Sequence, residues 1–323
     1  MDISPDLVAR FRSDMEALTG AAPRRLGVAV SGGPDSLALL LLAHAAFPGA
    51  VKAATVDHRL RSEAAEEARF VAGLCAELGV PHRVLEVDVA PRSSLQRAAR
   101  EARYAALGRW AEASAIPWLA TAHHLDDQAE TLLMRLVRGA GVAGLAGIRP
   151  SGPVPGRGAG AKLVRPLLSW RRAELAAVVH AAGIAAIQDP SNSDARFDRV
   201  RIRERLSTAD WIDPNAVARS AGALAEAEEA LEWAAGSLYE VRAERAGGLM
   251  LDMRDVPAEL VRRMVLQALR EIAPGAAPRG EEVQRLIAEL RAGRVAMLAG
   301  VRCSAQAEGW RFEPAPPRRP VKA

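Results

Sequence analysis

The stretch RLGVAVSGGPDSLALLLLAHAAF, residues 25–47, decides the fold. Its first part, RLGVAV (25–30), is a short apolar run that ends at SGGPDS (31–36). DSLALLLLAHAAF (35–47) then has the length and content of a helix. A strand that turns through glycines into a helix leaves the first backbone N–H groups of that helix unpaired, which makes an anion site. Gly32 and Gly33 let the backbone turn tightly and approach a ligand, and Ser31 and Ser36 add hydroxyls. In an open α/β sheet, ligands bind at such a place, beyond the carboxyl end of a strand. No GK[ST] follows, so this is not a Walker loop. Asp35 stands where a Walker loop carries no acid, and a carboxylate beside phosphates points to a bridging Mg2+. The plainer alternative is that Asp35 caps the helix.

Outward from this turn the alternation repeats. VKAATVDH (51–58) is a second strand, and SEAAEEARFVAGLCAELG (62–79) is an amphipathic helix stopped by Gly79 and Pro81. HRVLEVDV (82–89) alternates and is a third strand. SLQRAAREARYAALGRWAEASA (94–115) is a helix, with Ser93 and Gln96 at capping-box spacing. PWLATAHH (117–124) is a fourth strand and leads into a helix at about 126–138. SGPVPGRGAG (151–160) reads as a mobile Gly/Pro loop. KLVRPLL (162–168) is a fifth strand, WRRAELAAVVHAAG (170–183) a helix, and FDRVRIRERL (197–206) a short basic helix. Near-continuous apolar strands separated by helices predict a doubly wound α/β domain with a mainly parallel five-stranded sheet. DWIDP (210–214) reads as a boundary, giving a larger α/β domain over 1–212 and a smaller, mostly helical unit over 213–323 that closes in a strand or hairpin at 294–313.

Composition excludes several classes. At roughly 150 residues per domain, two domains are expected. Half of the 323 residues are apolar and a quarter charged, a globular balance. No apolar run reaches about 18 residues, so no membrane span is expected. The N-terminus MDISPDLVARFRSDM carries charges throughout and lacks a signal-peptide core, so the expected compartment is the cytoplasm. Cys75 and Cys303 are far apart and form no CxxC, which argues against a zinc ribbon, an iron–sulfur cluster or a disulfide framework. The net charge of +4 sits wholly in residues 1–210, with 27 basic against 23 acidic side chains, and residues 157–205 alone hold 10 basic and 5 acidic. A local basic patch of this kind suits nucleic acid, as it also suits a solvated surface.

Further motifs fall at the same sheet edge. Asp57 and His58 end the second strand in VDHRLR (56–61). AREARY (99–104) places Arg100 and Arg103 on one helix face, where two guanidiniums can clamp phosphates or pair with nearby acids such as Glu101. In TAHHLDDQAETLLMRLVRGAG (121–141), His123 and His124 end the fourth strand, and Asp126, Asp127 and Glu130 open the next helix. Asp127, Glu130 and Thr131 share a face. Acids at a helix start complement its dipole, but two histidines and three carboxylates beside an anion loop suggest chemistry. GAGVAG (139–144) matches G-x-G-x-x-G but follows a helix rather than a strand, so it is no dinucleotide site and reads as a tight, mobile connection. DPSNSDARFDRVRIR (189–203) sets Arg199, Arg201 and Arg203 on a basic helix that can face RNA phosphates or solvent.

SGGPDS resembles the loop of the N-type ATP pyrophosphatases, or PP-loop superfamily, whose members adenylate an oxygen and release pyrophosphate. The ordered set of VDHRLR, AREARY, HHLDDQAET with its RGAGVAGLAGI continuation, RPLL (165–168) and DPSNSD…RVRIR resembles the tRNA(Ile)-lysidine synthetase family over roughly residues 24–206. Val200 departs from that family's usual Asn. The resemblance implies an ATP-dependent ligase that joins free L-lysine to the wobble cytidine of tRNA(Ile) with a CAU anticodon, through an adenylated cytidine. It implies ATP binding by Ser31, Gly32, Gly33, Pro34, Asp35, Ser36, Asp57 and His58. Arg103, His123 and Asp126 would be catalytic, and Asp127 and Glu130 would take lysine. Arg199, Arg201 and Arg203 would take tRNA, and Mg2+ would sit on Asp35 or Asp126. His124 is one candidate base for the lysine amine. No membrane partner is expected, and a homodimer is one arrangement left open. The competing readings are another PP-loop RNA-modifying or amide-forming enzyme, such as a thiolase, and a non-catalytic ATP sensor. A thiolase would call for cysteine clusters, and the sensor would not need the acidic helix.

Overall fold

The computed structural model describes residues 3–58, 64–88, 95–156, 160–187, 198–245 and 248–316. Ser93, the DPSNSD turn (189–194) and residues 59–61 of VDHRLR lie outside them. The chain divides into two compact units, Met1–Ala225 and Glu226–Ala323.

In the first unit the elements run α1 (Pro5–Thr19), β1 (Leu26–Ala29), α2 (Pro34–Ala46), β2 (Val51–Asp57), α3 (Ala64–Glu77), β3 (His82–Glu86), α4 (Leu95–Ala113), β4 (Trp118–Ala120) and α5 (Leu125–Val137). They continue through α6 (Val142–Leu145), β5 (Ser151–Pro153), β6 (Lys162–Val164), α7 (Arg172–Ala181) and α8 (Asp198–Thr208). The sheet order is β3-β2-β1-β4-β6-β5. The five expected strands are all parallel neighbours. A sixth, β5, pairs antiparallel at the edge, with Gly152 opposite Leu163. This strand lies in the segment read as a Gly/Pro loop. Its SGP sequence has no strand signal, because an edge strand can be held by main-chain bonds alone, and its proline is tolerated there.

Helix α2 is apolar on every side because it is buried on every side. It packs against β1, α7 and α1, and Leu37 to Ala43 are all buried. Helix α1 carries no strong sequence signal and docks through Phe11 and Met15. The opposite sheet face is covered by α4 through Tyr104, Leu107, Trp110 and Ala111. The GAGVAG run folds into the one-turn α6. Arg135 Nη1 donates to the carbonyls of Gly144 (2.6 Å) and Gly147 (3.0 Å), so this connection is tight, as expected, but tied down.

In the second unit, helix α9 (Pro214–Arg242) is followed by β7 (Ala243–Glu244), β8 (Leu249–Leu251), α10 (Ala258–Ile272) and α11 (Gly280–Arg291). Three strands close the described chain, β9 (Val295–Leu298), β10 (Val301–Gln306) and β11 (Gly309–Pro314). The expected helices and terminal hairpin are present, but the hairpin belongs to a five-stranded antiparallel sheet, β7-β8-β11-β10-β9. Strands β7 and β8 are only two and three residues long, too short for an alternation to register. The division between units falls inside α9, downstream of the DWIDP segment. The start of α9 is tied to the first unit by Arg149 Nη1, which donates to the Ala225 carbonyl at 3.1 Å.

Cys75 and Cys303 are free and fully buried, and burial pushes their thiols up to about 11 and about 12. Both pack as small apolar groups. No helix among the described residues is long and apolar enough to cross a membrane.

Candidate active site

The carboxyl ends of β2, β1, β4 and β6 lie side by side in the sheet. His58, the 31–36 turn, Thr121–His124 and Arg165 follow those ends directly, so the topology gathers them on one edge.

In the turn, Gly32 takes a left-handed backbone with φ of 87°. The Ser31 N–H donates to Ser36 Oγ at 3.1 Å, and Ser36 Oγ donates to the Gly33 carbonyl at 2.9 Å. The serine hydroxyls therefore brace the loop from within. Gly33 is the N-cap of α2 and Pro34 begins the helix, with no side-chain cap. Asp35 is thus not the cap. Its Oδ2 lies 3.5 Å from His124 Nε2, and its buried Oδ1 has no hydrogen-bond partner. A Cβ on Gly32 would meet Ile187 Cδ1 at 2.6 Å. Gly32→Ala is therefore expected to cost about 1–2 kcal/mol for the left-handed conformation, with the Ile187 side chain moved aside. A drop in denaturant midpoint with an unchanged slope checks it, and a midpoint equal to the parent's contradicts it.

His124 is the N-cap of α5. Its Nδ1 accepts from the Asp127 N–H at 3.2 Å, and Asp127 Oδ2 accepts from the His124 N–H at 3.1 Å. A capping Nδ1 is unprotonated, so the ring proton sits on Nε2, toward Asp35. Burial lowers the His124 pKa, but the bond to Asp35 and the charges of Asp127 and Asp35 outweigh it and raise it overall. His124 is 1% exposed and committed to this cap, so the geometry does not favour it as the base for an incoming amine.

The acids of α5 divide. Asp126 turns toward α7, where its Oδ2 accepts from the Arg172 N–H at 2.7 Å and its Oδ1 from Arg171 Nε at 3.1 Å. It joins two helices, which leaves little of it for a metal or substrate. Glu130 is 2% exposed and accepts from Arg199 Nε at 2.8 Å and Arg203 Nε at 2.7 Å. Burial pushes its pKa up, but the two arginines outweigh that and hold it below the usual carboxylate range. Asp127 Oδ1 accepts from Arg199 Nη2 at 3.2 Å. Arg199 and Arg203 thus turn inward onto the acids instead of forming an outward RNA face. A basic helix beside an acidic one neutralises it, which reading each motif alone does not reveal. Arg201 is the outward member and pairs with Asp198. With Arg138, Arg205, Met134, Val137 and Ile202 it lines a groove of about 260 Å³. Val200 is buried in α8, which suits an apolar residue there.

A cationic cluster is formed by α4 and the residue that follows β6. The guanidiniums of Arg100 and Arg103 each stand 5.0 Å from the Tyr104 ring centroid. His123 Nδ1 bonds Thr121 Oγ1 at 3.0 Å. Burial first, then Arg165, Arg103, Arg100 and Arg199, hold His123 well below its ordinary pKa, so it is neutral. Burial and Arg103 likewise lower His58, against the opposing charge of Asp57. Arg165 and Tyr104 were not singled out from the sequence. The available signal was an arginine directly after a buried strand, at the head of RPLL.

Such an edge, an anion loop flanked by half-buried arginines and by acids, is equipped to hold a polyphosphate and activate it. Residues 7–209 match the PP-loop domain family. The chain is 47% identical over 312 residues to a tRNA(Ile)-lysidine synthase of Novosphingobium aromaticivorans, covering 96% of this chain and 94% of that one. It is 45% identical over 298 residues to the enzyme of that name from Zymomonas mobilis, covering 91% and 90%. Among solved structures, the U34-tRNA thiolase NcsA from Methanococcus maripaludis matches 70% of this chain and 78% of its own, with a TM-score of 0.54 and 16% identity, which is a likeness of fold. With identity this high sustained through both units and the PP-loop at its expected sheet edge, the chain belongs to the tRNA(Ile)-lysidine synthase family.

Proposed function

We propose that this protein joins free L-lysine to C2 of the wobble cytidine of tRNA(Ile) with a CAU anticodon, using ATP. The observation that carries this reading is one sheet edge that gathers the 31–36 loop, a half-buried Arg/His cluster and the Asp127–Glu130 pair. In the first step the cytidine O2 attacks the α-phosphate, an O–P bond forms, and pyrophosphate leaves. In the second, the lysine ε-amine attacks C2 and the C–O bond to AMP breaks. The product reads AUA in place of AUG.

Each step has residues in place. Backbone amides of the loop would hold the departing pyrophosphate, with Asp57 and His58 beside the nucleotide. Arg103 and neutral His123 would stabilise charge on the α-phosphate. Free lysine brings two ammonium groups and one carboxylate, and Asp127 and Glu130 with Arg199 and Arg203 offer both complementary signs. The ε-amine must lose a proton before it attacks, because its ordinary pKa is about 10.4. Mg2+ would supply offset of the phosphate charge. Asp35 fits that ion, because its buried Oδ1 has no partner, whereas Asp126 is already held by Arg171 and Arg172. Among the described residues no group of three His, Cys, Asp or Glu side chains could hold a metal, so Asp35 and phosphate oxygens would share it. Arg201, with Arg138 and Arg205 along the α5–α8 groove, is the proposed outer contact for tRNA. The cytoplasm is the proposed compartment.

The test is incubation with ATP, Mg2+, radiolabelled lysine and a CAU-bearing tRNA(Ile) transcript. ATP- and tRNA-dependent label in acid-precipitable RNA supports the reading. Pyrophosphate release without label would point to another nucleophile, and ATP binding with neither signal to a sensor. Asp127→Asn keeps an oxygen for the His124 N–H and removes the charge. It should raise the lysine KM at least about tenfold with ATP affinity unchanged, and unaltered lysine kinetics would remove Asp127 from the site.

A further inference from the structure

Four buried side-chain atoms at this sheet edge make no well-formed hydrogen bond: His58 Nδ1, Arg103 Nε, Tyr104 Oη and Arg165 Nε. They come from the end of β2, from α4 and from the end of β6, so no local motif unites them. The Nε atoms of Arg103 and Arg165 can only donate, and the tyrosine hydroxyl can donate. A buried donor without an acceptor is costly. Three arginines, Arg100, Arg103 and Arg165, surround the one hydroxyl and outweigh the upward push of its burial.

The placement of Arg165 is set by the fold. Val164 pairs with Ala120 in the parallel β4–β6 register, so Arg165 emerges beside Thr121, whose hydroxyl bonds His123. Its Nη1 donates to the Arg149 carbonyl at 2.6 Å, which anchors one end of the guanidinium. The Tyr104 ring is 1% exposed and lies under Arg100 and Arg103, so its hydroxyl position is fixed by packing. Convergent, fixed donors with excess positive charge match the tetrahedral oxygens of a phosphate.

We infer that Tyr104 and Arg165 are positioning residues of the reaction site, which with Arg103 receive the oxygens of a substrate phosphate at the sheet edge that carries the 31–36 loop. This rests on the function proposed above and extends its phosphate handling to two residues. The phosphate belongs either to ATP or to the RNA backbone at the reacting cytidine.

Tyr104→Phe and Arg165→Lys separate this role from a structural one. The Tyr104 hydroxyl makes no well-formed hydrogen bond and only loose contacts with Arg103 and Arg165, so its removal should change the melting temperature little. Arg165→Lys keeps the charge and a donor for the Arg149 carbonyl but loses Nε. Each variant is expected to slow formation of adenylated RNA by about 10- to 100-fold, with the lysine KM unchanged. Titration of each variant with ATP alone, and separately with a CAU anticodon stem-loop, identifies the source. Weakened ATP binding assigns the phosphate to ATP, and weakened RNA binding alone assigns it to the RNA. If ATP affinity, RNA affinity and adenylation rate all stay within twofold of the parent, the inference is overturned. These titrations read out even if lysine proves not to be the nucleophile, so its failure is distinguishable from failure of the proposed reaction.

Discussion

Arg103→Ala is expected to lower the rate of adenylated-RNA formation by about 10²–10³-fold, the usual loss when a fixed donor to developing charge is removed. The Arg103 guanidinium is held over the Tyr104 ring, and its buried Nε has no protein partner. Beyond Tyr104 no hydrogen bond or ion pair ties its side chain to the fold among the described residues, so the variant should remain folded. Ground-state ATP affinity should fall much less than the rate, because the 31–36 loop is the proposed holder of the polyphosphate. Arg103→Lys should recover only part of the rate, since an ammonium lacks the planar fork. A second readout follows from electrostatics. Arg103 helps to keep both His58 and His123 below their ordinary pKa, after burial in each case. Its removal should move both upward, and NMR titration of the histidine ring protons measures this. Single-turnover kinetics with labelled ATP measures the rate, and a loss below threefold would exclude Arg103 from the chemical step.

Arg263→Ala is expected to destabilise the second unit by about 3–5 kcal/mol, the cost of leaving a buried charge without its partner. Arg263 on α10 is buried and donates to Glu228 Oε1 and Oε2 at 2.9 and 2.6 Å, to Glu232 at 2.5 Å and to Glu259 at 2.9 Å. Glu228 is itself buried. Truncation of the arginine strands that carboxylate, whereas Arg263→Met with Glu228→Gln removes both charges and should recover much of the loss. Hydrogen exchange of the α10 amides reports the local unfolding free energy. Equal protection in the parent and the alanine variant would show that this cluster does not hold the unit together.

The sequence by itself determined the parallel sheet and the position of the loop. Strand, glycine turn and apolar helix are contiguous in residues 25–47, and local chemistry decides them. The same holds for His123, Asp127 and Glu130, which reach one edge because a strand end and a helix start are adjacent in the chain. Tertiary structure alone decided where the charges are used. Arg199 and Arg203 are about 70 residues from Glu130 in sequence, and each motif read singly looks unpaired. Asp126 reads as a metal or catalytic acid until α7 brings the Arg172 N–H to it. Tyr104 and Arg165 sit at the end and the head of two separate motifs, AREARY and RPLL, and gain meaning only where the fold brings the two together. Strands β5, β7 and β8 were illegible because main-chain pairing holds such short strands with little demand on their side chains. Periodicity records burial along one element, and these features arise from pairing between elements distant in sequence.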